Sequence, residues 1–135
     1  MKLSINEGYN LCFGCGQANP IGLKLHFHQE DGKAVADFVP SKFHQGWEGI
    51  LHGGVMSAAL DEAIGYAAWY RGLKAVTAKI EIRFRHPVEI GHRLLLSAEI
   101  TRERRRLVEA KAWATLEDGT IAAEASSVLY IVGDE

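Results

Sequence analysis

Three features of the sequence predict an α+β fold in which a curved antiparallel sheet of five or six strands wraps one long helix. Segments of alternating apolar and polar residues, the period of a half-buried strand, lie on both sides of residues 53–70. Residues 53–70 themselves do not alternate and are rich in alanine, a strong helix former. This segment is apolar or small on nearly every side, which is typical of a buried helix. An open-faced α+β sandwich is the competing arrangement.

The first strands are predicted as a hairpin within residues 23–39. Leu23, Leu25 and Phe27 alternate with polar residues, and a second alternating run follows residues 30–32. The Glu-Asp-Gly sequence at 30–32 is typical of a tight turn. We therefore expect two paired strands before the helix.

The helix is predicted to run from Gly53 to about Tyr70, with Gly72 as the stop signal. At about 1.5 Å per residue it is roughly 27 Å long. Its polar exceptions are Ser57, Asp61 and Glu62.

The strand after the helix is predicted over residues 76–84 and ends at the His-Pro pair at 86–87. Alternation places Thr77 on the face opposite the apolar row of this strand. That apolar row is Val76, Ala78, Ile80, Ile82 and Phe84.

Three further strands are predicted at residues 94–100, 108–116 and 121–131, with a hairpin turn at the Asp-Gly pair 118–119. Consecutive strands of this kind are antiparallel neighbours. Their apolar rows are rich in alanine, which lets a sheet approach a central helix closely. One helix wrapped in this way is the architecture called a hotdog fold.

Length and charge exclude several classes of protein. The chain has 135 residues, 47% of them hydrophobic, and a formal charge of −2. We expect one domain over residues 1–135, with a turn-rich N-terminal segment at 1–21. The balanced charge excludes the broad basic face of a nucleic-acid-binding protein. The sequence has neither a signal-peptide core nor the ~20 uncharged apolar residues that span a bilayer. We expect a cytoplasmic protein with no nucleic-acid or membrane partner.

Asp61 and Glu62 are carboxylates inside an otherwise apolar helix. Because a buried unpaired charge is costly, each must reach solvent, pair with an arginine of the sheet or serve a ligand. Small residues on the Asp61 face leave room for a ligand or a partner chain. They lie at Gly54, Ser57, Ala58 and Gly65, together with Ile64. Spacing alone does not choose between the two carboxylates.

The His52-Gly53-Gly54 sequence leads into the helix. A helix N-terminus presents unpaired N–H groups, and glycine lets an oxygen approach them, as an oxyanion hole requires. A tight entry turn is the alternative interpretation. Along a helix, Gly53 and Asp61 are about 12 Å apart, so one chain does not bring both to the same reacting atom. If both act in one reaction, two subunits share each site and catalysis requires a dimer.

Four sequence blocks carry a resemblance to a known family. These blocks are CFGCGQANPIGLKLHF, HQGWEGILHGG, the VMSAALDEA that follows it, and IEIRFRHPV. In this order they resemble the hotdog-fold acyl-CoA thioesterases of the phenylacetate-pathway, or PaaI-like, group. The resemblance covers most of the chain.

This resemblance implies hydrolysis of an acyl-CoA thioester by water, without a cofactor, in dimers that often pair into tetramers. By match to the motif, Asp61 activates water or attacks the thioester. The Gly53 N–H binds the carbonyl oxygen, and His52 positions or polarises the site. Many PaaI-like enzymes have an asparagine six residues before the histidine. Here Gly46 occupies that position, and the adjacent Gln45 is the candidate polar contact.

Further substrate-binding candidates surround this motif. Thr77 lies where the family often has a polar residue near the site, and a solvated strand face explains it equally well. Arg83 and Arg85, with His86 and the arginines at 102 and 104–106, are candidates for the phosphates of CoA, since guanidinium groups bind phosphate in bidentate fashion. The full predicted set is Gly54, Gln45, Glu62, Thr77, Arg83 and Arg85.

Cys12 and Cys15 form one C-x-x-C pair. A zinc site with His26, His28 or His44 lacks a second patterned pair of ligands, so we expect turn chemistry and no metal. The aromatic residues Trp47, Tyr66, Trp69 and Tyr70 are core or interface residues by default, or they line a pocket for an aryl or medium-chain acyl group.

Two rival functions remain from the sequence. A hotdog hydratase or dehydratase is the first, but this chain lacks an H-F-P type motif around Phe43-His44. A non-catalytic acyl-CoA binding or sensing module is the second, because fold does not decide function. A carboxylate inside the helix has little use in pure binding, which favours the enzyme.

Overall fold

The computed structural model describes residues 9–132, and these residues contain one α-helix and a sheet of six strands. The elements are β1 (His28–Glu30), β2 (Lys33–Phe38), α1 (Gly53–Trp69), β3 (Ala75–Phe84), β4 (Leu94–Arg104), β5 (Leu107–Leu116) and β6 (Ile121–Ile131). The strand order is β1-β2-β4-β5-β6-β3, and every neighbouring pair is antiparallel. α1 lies against β2 to β6, so the predicted architecture is confirmed.

The first predicted strand is wrong in its position. Residues 23–27 do not pair with β2, and β1 covers only His28–Glu30. The Leu23 N–H instead donates to the Phe13 carbonyl, and the Leu25 N–H donates to Gly14. Residues 23–27 therefore lie against the N-terminal segment and not against β2. The hairpin with β2 is formed by His28–Glu30. Of that segment, residues 1–8 lie outside the described part of the chain.

The helix agrees with its predicted bounds, but only one side of it is buried within the chain. The sheet-facing residues are Met56, Ala59, Leu60, Ala63, Ile64, Ala67 and Ala68. Gly54, Gly65 and Trp69 are exposed, and Asp61 and Glu62 are half-buried. The expectation of burial on every side is therefore not met by the single chain. No helix in residues 9–132 is long and apolar enough to cross a membrane.

The meander β4-β5-β6 is confirmed, and its alanines lie against the helix. Ala112, Ala114 and Ala123 have no solvent exposure, and Ala125 is 3% exposed. Side chains this small let the sheet come close to the helix along its length.

The strand β3 forms one edge of the sheet and contains a β-bulge at Ala78, where the register with β6 shifts between Thr77 and Lys79. A bulge adds one residue to one strand and so reverses the alternation beyond it. Thr77 is opposite Leu129, which is 1% exposed, and therefore shares the helix-facing side with Ile80. The expectation that Thr77 lies opposite the apolar row is wrong for this reason.

Candidate active site

His52 caps the start of α1. Its Nδ1 accepts a hydrogen bond from the Gly54 N–H at 2.8 Å. Because Nδ1 is the acceptor, a neutral ring carries its proton on Nε2, which remains a donor. The Gly53 N–H is the first of the helix and has no intrahelical partner. Of the two glycines, only Gly53 therefore presents an unsatisfied N–H outward.

The loop before the helix holds His52 in place. Gln45 Oε1 accepts a hydrogen bond from the Gly49 N–H at 2.8 Å, and Gly49 has a φ of +82°, which favours glycine. A Cβ atom at Gly46 would lie 3.3 Å from the His52 ring, so a side chain there would crowd it. Gln45, a predicted substrate contact, is thus engaged in closing the loop.

His44 supports the same loop, a role that sequence reasoning missed. Its carbonyl accepts a hydrogen bond from the His52 N–H at 2.9 Å. Its ring Nδ1 accepts from the Ser41 N–H at 2.9 Å, and burial lowers the pKa of His44. The ring is therefore kept neutral near pH 7 and acts as a structural acceptor.

Two open cavities meet at Gly53. One, of about 310 Å³, is lined by Leu51, Gly53, Met56, Phe84, Arg85, His86, Pro87 and Val88. The other, of about 430 Å³, is lined by Gly46, Trp47, Ile50, Leu51, His52 and Gly53. Asp61 is in neither set, so within residues 9–132 the donor and the carboxylate occupy separate places.

The cavities are rich in exposed aromatic surface. Phe84 was predicted in the core row of its strand, yet it is 56% exposed and lies next to Gly53. Trp47 is 87% exposed. The signal for Phe84 was its place at the end of β3, just before the His-Pro pair that breaks the strand. Both rings can contact an apolar group bound beside the Gly53 N–H.

Asp61 lies on the outer side of α1 and is bound by Thr77. The Thr77 hydroxyl donates to Asp61 Oδ1 at 2.6 Å. The bulge at Ala78 makes this contact possible, because it turns Thr77 toward the helix. One carboxylate oxygen is thereby fixed while the residue stays half-buried, and the arrangement suits a carboxylate that must be oriented toward a second reactant.

Glu62, the adjacent carboxylate, has a different environment. The Cys12 thiol lies 3.6 Å from Glu62 Oε1 and 3.5 Å from Oε2. A Cβ atom at Gly14 would lie 2.5 Å from the Glu62 carboxylate, so only glycine fits there. Glu62 thus contacts the N-terminal loop, whereas Asp61 contacts β3.

Three metal-ligating groups converge at this loop. One ligand atom each from Cys12, Cys15 and Glu62 lie within 4.8 Å of one another. None of the three histidines considered from the sequence belongs to this group. The third member of the group is instead a carboxylate from α1, a combination that was not considered from the sequence.

Arg85 is paired with a carboxylate of β6. Its Nε and Nη2 donate to Glu124 at 3.0 and 3.2 Å, and this hydrogen bonding raises the pKa of Arg85 and lowers that of Glu124. Arg83 lies opposite Glu124 in the register and is exposed. Arg85 also lines the cavity at Gly53, so of the two predicted phosphate contacts it is the one beside the candidate oxyanion donor.

The chain is similar to known proteins in sequence and in fold. A family model described as the thioesterase superfamily matches residues 48–123, which contain α1, the loop before it and most of the sheet. The chain belongs to the thioesterase superfamily. The chain is 26% identical over 105 residues to acyl-coenzyme A thioesterase THEM5 of Mus musculus. The matched segment covers 77% of this chain and 42% of that protein. The chain thus spans less than half of that relative.

Solved structures show the same fold. A thioesterase superfamily protein matches with a TM-score of 0.82 at 22% identity, over 87% of this chain and 61% of that chain. The E. coli PaaI protein from the phenylacetic acid degradation operon matches with a TM-score of 0.77 at 20% identity, over 82% of this chain and 81% of that chain. The predicted hotdog fold and the PaaI-like resemblance are confirmed.

Proposed function

We propose that this protein hydrolyses an acyl-CoA thioester to a free acid and CoA. Membership of the thioesterase superfamily and the similarity to an acyl-coenzyme A thioesterase support the reaction class. The observation that carries the proposal is the Asp61 carboxylate, half-buried on the open side of α1 and oriented by the Thr77 hydroxyl at 2.6 Å.

Asp61 acts in one of two ways. As a general base it takes a proton from water while the water oxygen attacks the thioester carbon. As a nucleophile it attacks that carbon itself, and water then hydrolyses the resulting anhydride. In both routes the C–S bond breaks, CoA leaves as the thiolate and takes up a proton, and no cofactor is required.

The Gly53 N–H stabilises the oxyanion that forms in either route. It is the unpaired first donor of α1, and the helix dipole favours negative charge at this end. The Nε2 of His52 is a second donor at the same place. The exposed rings of Phe84 and Trp47 favour an aryl or medium-chain acyl group.

Each site is shared between two subunits. Eight residues of helix separate Gly53 from Asp61 by about 12 Å, which is too far for one reacting carbonyl. Two-fold symmetry gives two equivalent sites per dimer, each with Gly53 of one chain and Asp61 of the other. The open side of α1 and the edge strand β3 are the surfaces available for this pairing, and we propose that two dimers associate further.

The test of Asp61 is thiol release from a panel of acyl-CoA thioesters. We expect Asp61→Asn to lower kcat at least ~100-fold, because it removes the proton acceptor or nucleophile while keeping the shape. Asp31→Asn is the matched control, since Asp31 lies in the exposed turn between β1 and β2 and lines neither cavity. Full activity of Asp61→Asn contradicts the mechanism, and tight acyl-CoA binding without thiol release in the wild type supports a binding module instead.

The test of Gly53 uses two substitutions that differ in one donor. Proline has no N–H and is favoured at the first helical position, and His52 has the extended backbone (φ −66°, ψ 134°) that precedes proline readily. We expect Gly53→Pro to lower kcat about 100-fold or more, and Gly53→Ala, which keeps the N–H, to retain most activity. Equal activities of the two variants contradict an oxyanion role for this N–H.

Mixing the two inactive variants tests the shared site. When subunits of Gly53→Pro and Asp61→Asn exchange freely, half of the dimers are mixed and each mixed dimer has one intact site. We therefore expect recovery of about a quarter of wild-type activity. No recovery, with exchange confirmed by a tagged chain, shows that each chain carries its own site.

A further inference from the structure

Hydrogen bonds hold the backbone of the loop that contains Cys12 and Cys15. The Gly16 N–H donates to the Cys12 carbonyl at 2.8 Å, and Gln17 Nε2 donates to the Cys15 carbonyl at 3.0 Å. The Leu25 N–H donates to the Gly14 carbonyl at 2.9 Å. These bonds fix where the two cysteine side chains leave the loop.

Glycines in the loop make room for a third group. At Gly14 a Cβ atom would overlap the Glu62 carboxylate at 2.5 Å. At Gly16 a Cβ atom would lie 2.3 Å from the Asn10 carbonyl oxygen, so the tight turn needs glycine as well. The loop is therefore shaped to receive a carboxylate from α1, fifty residues further along the chain.

The Cys12 and Glu62 ligand atoms have the spacing of zinc ligands, and Cys15 lies beside them. For Zn²⁺, ligand distances of about 2.3 Å to sulfur and 2.0–2.2 Å to oxygen place sulfur and oxygen roughly 3.5–3.7 Å apart around a tetrahedron. Cys12 Sγ lies 3.6 Å from Glu62 Oε1 and 3.5 Å from Oε2, and Cys15 Sγ lies within 4.8 Å of Cys12 Sγ and of one Glu62 oxygen. Cys15 is buried, while Cys12 and Glu62 are half-buried, so one side of the group reaches water.

We propose that Cys12, Cys15 and Glu62 bind a zinc ion that joins the N-terminal loop to α1. Two sulfur ligands favour zinc over magnesium or calcium, which prefer oxygen. A water molecule on the open side is the fourth ligand. On binding, both thiols lose a proton to solvent, and the ion with two thiolates and one carboxylate has one net negative charge.

The zinc is separate from the hydrolysis. Glu62 follows Asp61 directly, but the two carboxylates point to different partners, the loop and β3. The ion therefore fastens the loop against the helix without contacting Asp61. In its absence the thiol of Cys12 donates a hydrogen bond to Glu62, a weaker link between the same two segments.

The wild-type full chain provides the first test. Purified under reducing, metal-free conditions, it is titrated with Co²⁺, which reports thiolate ligands by a charge-transfer band and tetrahedral geometry by strong visible bands. We expect saturation at one ion per chain, stoichiometric displacement by Zn²⁺ and release of two protons per zinc. X-ray absorption of the zinc form should show two sulfur ligands at about 2.3 Å and two oxygen ligands at about 2.0–2.2 Å. Absence of saturable binding, or a shell without sulfur, overturns the proposal.

Matched variants identify the ligands. Cys15→Ser should abolish the charge-transfer band, and Glu62→Gln should keep it while weakening zinc binding at least ~10-fold. Glu117→Gln, which changes an exposed carboxylate elsewhere, should bind as the wild type does. Wild-type affinity in Glu62→Gln shows that the carboxylate is not a ligand and contradicts the three-residue site. Because these readings do not use thioester hydrolysis, they stand or fall independently of the proposed enzyme activity.

Discussion

The two sides of α1 differ in what they contribute. On the side that faces the sheet, Ala59, Leu60 and Ala63 have no solvent exposure and carry no charge. On the outer side, Asp61 is half-buried and Gly65 is exposed. Apolar burial on the first side stabilises the fold, and the groups that can react lie on the second. Stability and activity therefore depend on different residues of the same helix, so substitutions should separate them.

A substitution at Leu60 tests how much the buried side of α1 contributes to stability. Leu60→Ala removes a fully buried side chain and should lower the free energy of unfolding by about 2–5 kcal/mol, measured by urea denaturation. The activity per folded molecule should change little. Leu95→Ala makes the same change at a residue that is 43% exposed and should cost less than about 1 kcal/mol. Equal losses in the two variants would show that burial of Leu60 against the sheet is not the source of this stability.

The next effect tests the outer side. Thr77→Val keeps the shape but removes the hydroxyl that donates to Asp61, so kcat should fall about tenfold, in keeping with a lost hydrogen bond to a charged group. Thr77→Ser retains the donor and should restore kcat. The melting temperature should stay near that of the wild type, because Thr77 is exposed. A drop in stability with unchanged kcat would instead make this contact structural.

His52, at the start of the helix, is expected to contribute to both stability and activity. His52→Ala removes the acceptor of the Gly54 N–H and should cost about 1 kcal/mol of stability. Asparagine is also a good N-cap residue, so His52→Asn should restore stability but not kcat, because it lacks the Nε2–H donor. Recovery of both quantities in His52→Asn would show that the ring acts only as a cap.

The smallest effect concerns acid stability, to which the uncharged side of α1 contributes nothing. A hydrogen bond from Arg93 lowers the pKa of Asp37 below its ordinary value. The pair therefore stabilises the fold fully above the unfolded-state pKa, and this stabilisation is lost as pH falls through the folded-state pKa. Both side chains are about half exposed, so solvent screening keeps the loss small.

Asp37→Asn should accordingly flatten the dependence of unfolding free energy on pH in the acid range below about 4, relative to the wild type. Asp31→Asn, at an exposed turn, is the control and should leave the curve unchanged. A steeper acid dependence in Asp37→Asn would show that the sign of this effect is wrong.

Much of the fold followed from local patterns. The helix was predicted from its alanines and its lack of alternation, and the strands β4 to β6 from a 2-residue period, and all of these signals lie in neighbouring positions. The position of β1 was not predicted correctly, because residues 23–27 pair with the N-terminal loop. Such a contact between distant segments is not encoded in the pattern of either segment alone. The side of Thr77 was also not predicted correctly, because nothing in the alternating run marks Ala78 as a bulge.

The candidate site divides in a similar way. Gly53, His52 and Asp61 were predicted from a motif in which all three lie within one short stretch. The contact between Cys12 and Glu62 spans fifty residues and depends on how the N-terminal loop folds back over α1. A motif within one stretch of sequence therefore indicated the catalytic candidates, whereas the third member of the cysteine cluster is set by the fold.

The bulge at Ala78 divides β3 into two stretches, and the alternation of side chains between the two faces is reversed from one stretch to the other. An insertion or deletion of a single residue between positions 77 and 80 would change which side chains of the first stretch face the helix relative to those of the second. A different neighbour would then meet Asp61, although no side chain had been exchanged. Relatives that use the same catalytic carboxylate can thus differ in the residue that binds it because their strands differ in length by one residue. Point substitutions do not test this effect, because they do not change the length of the backbone.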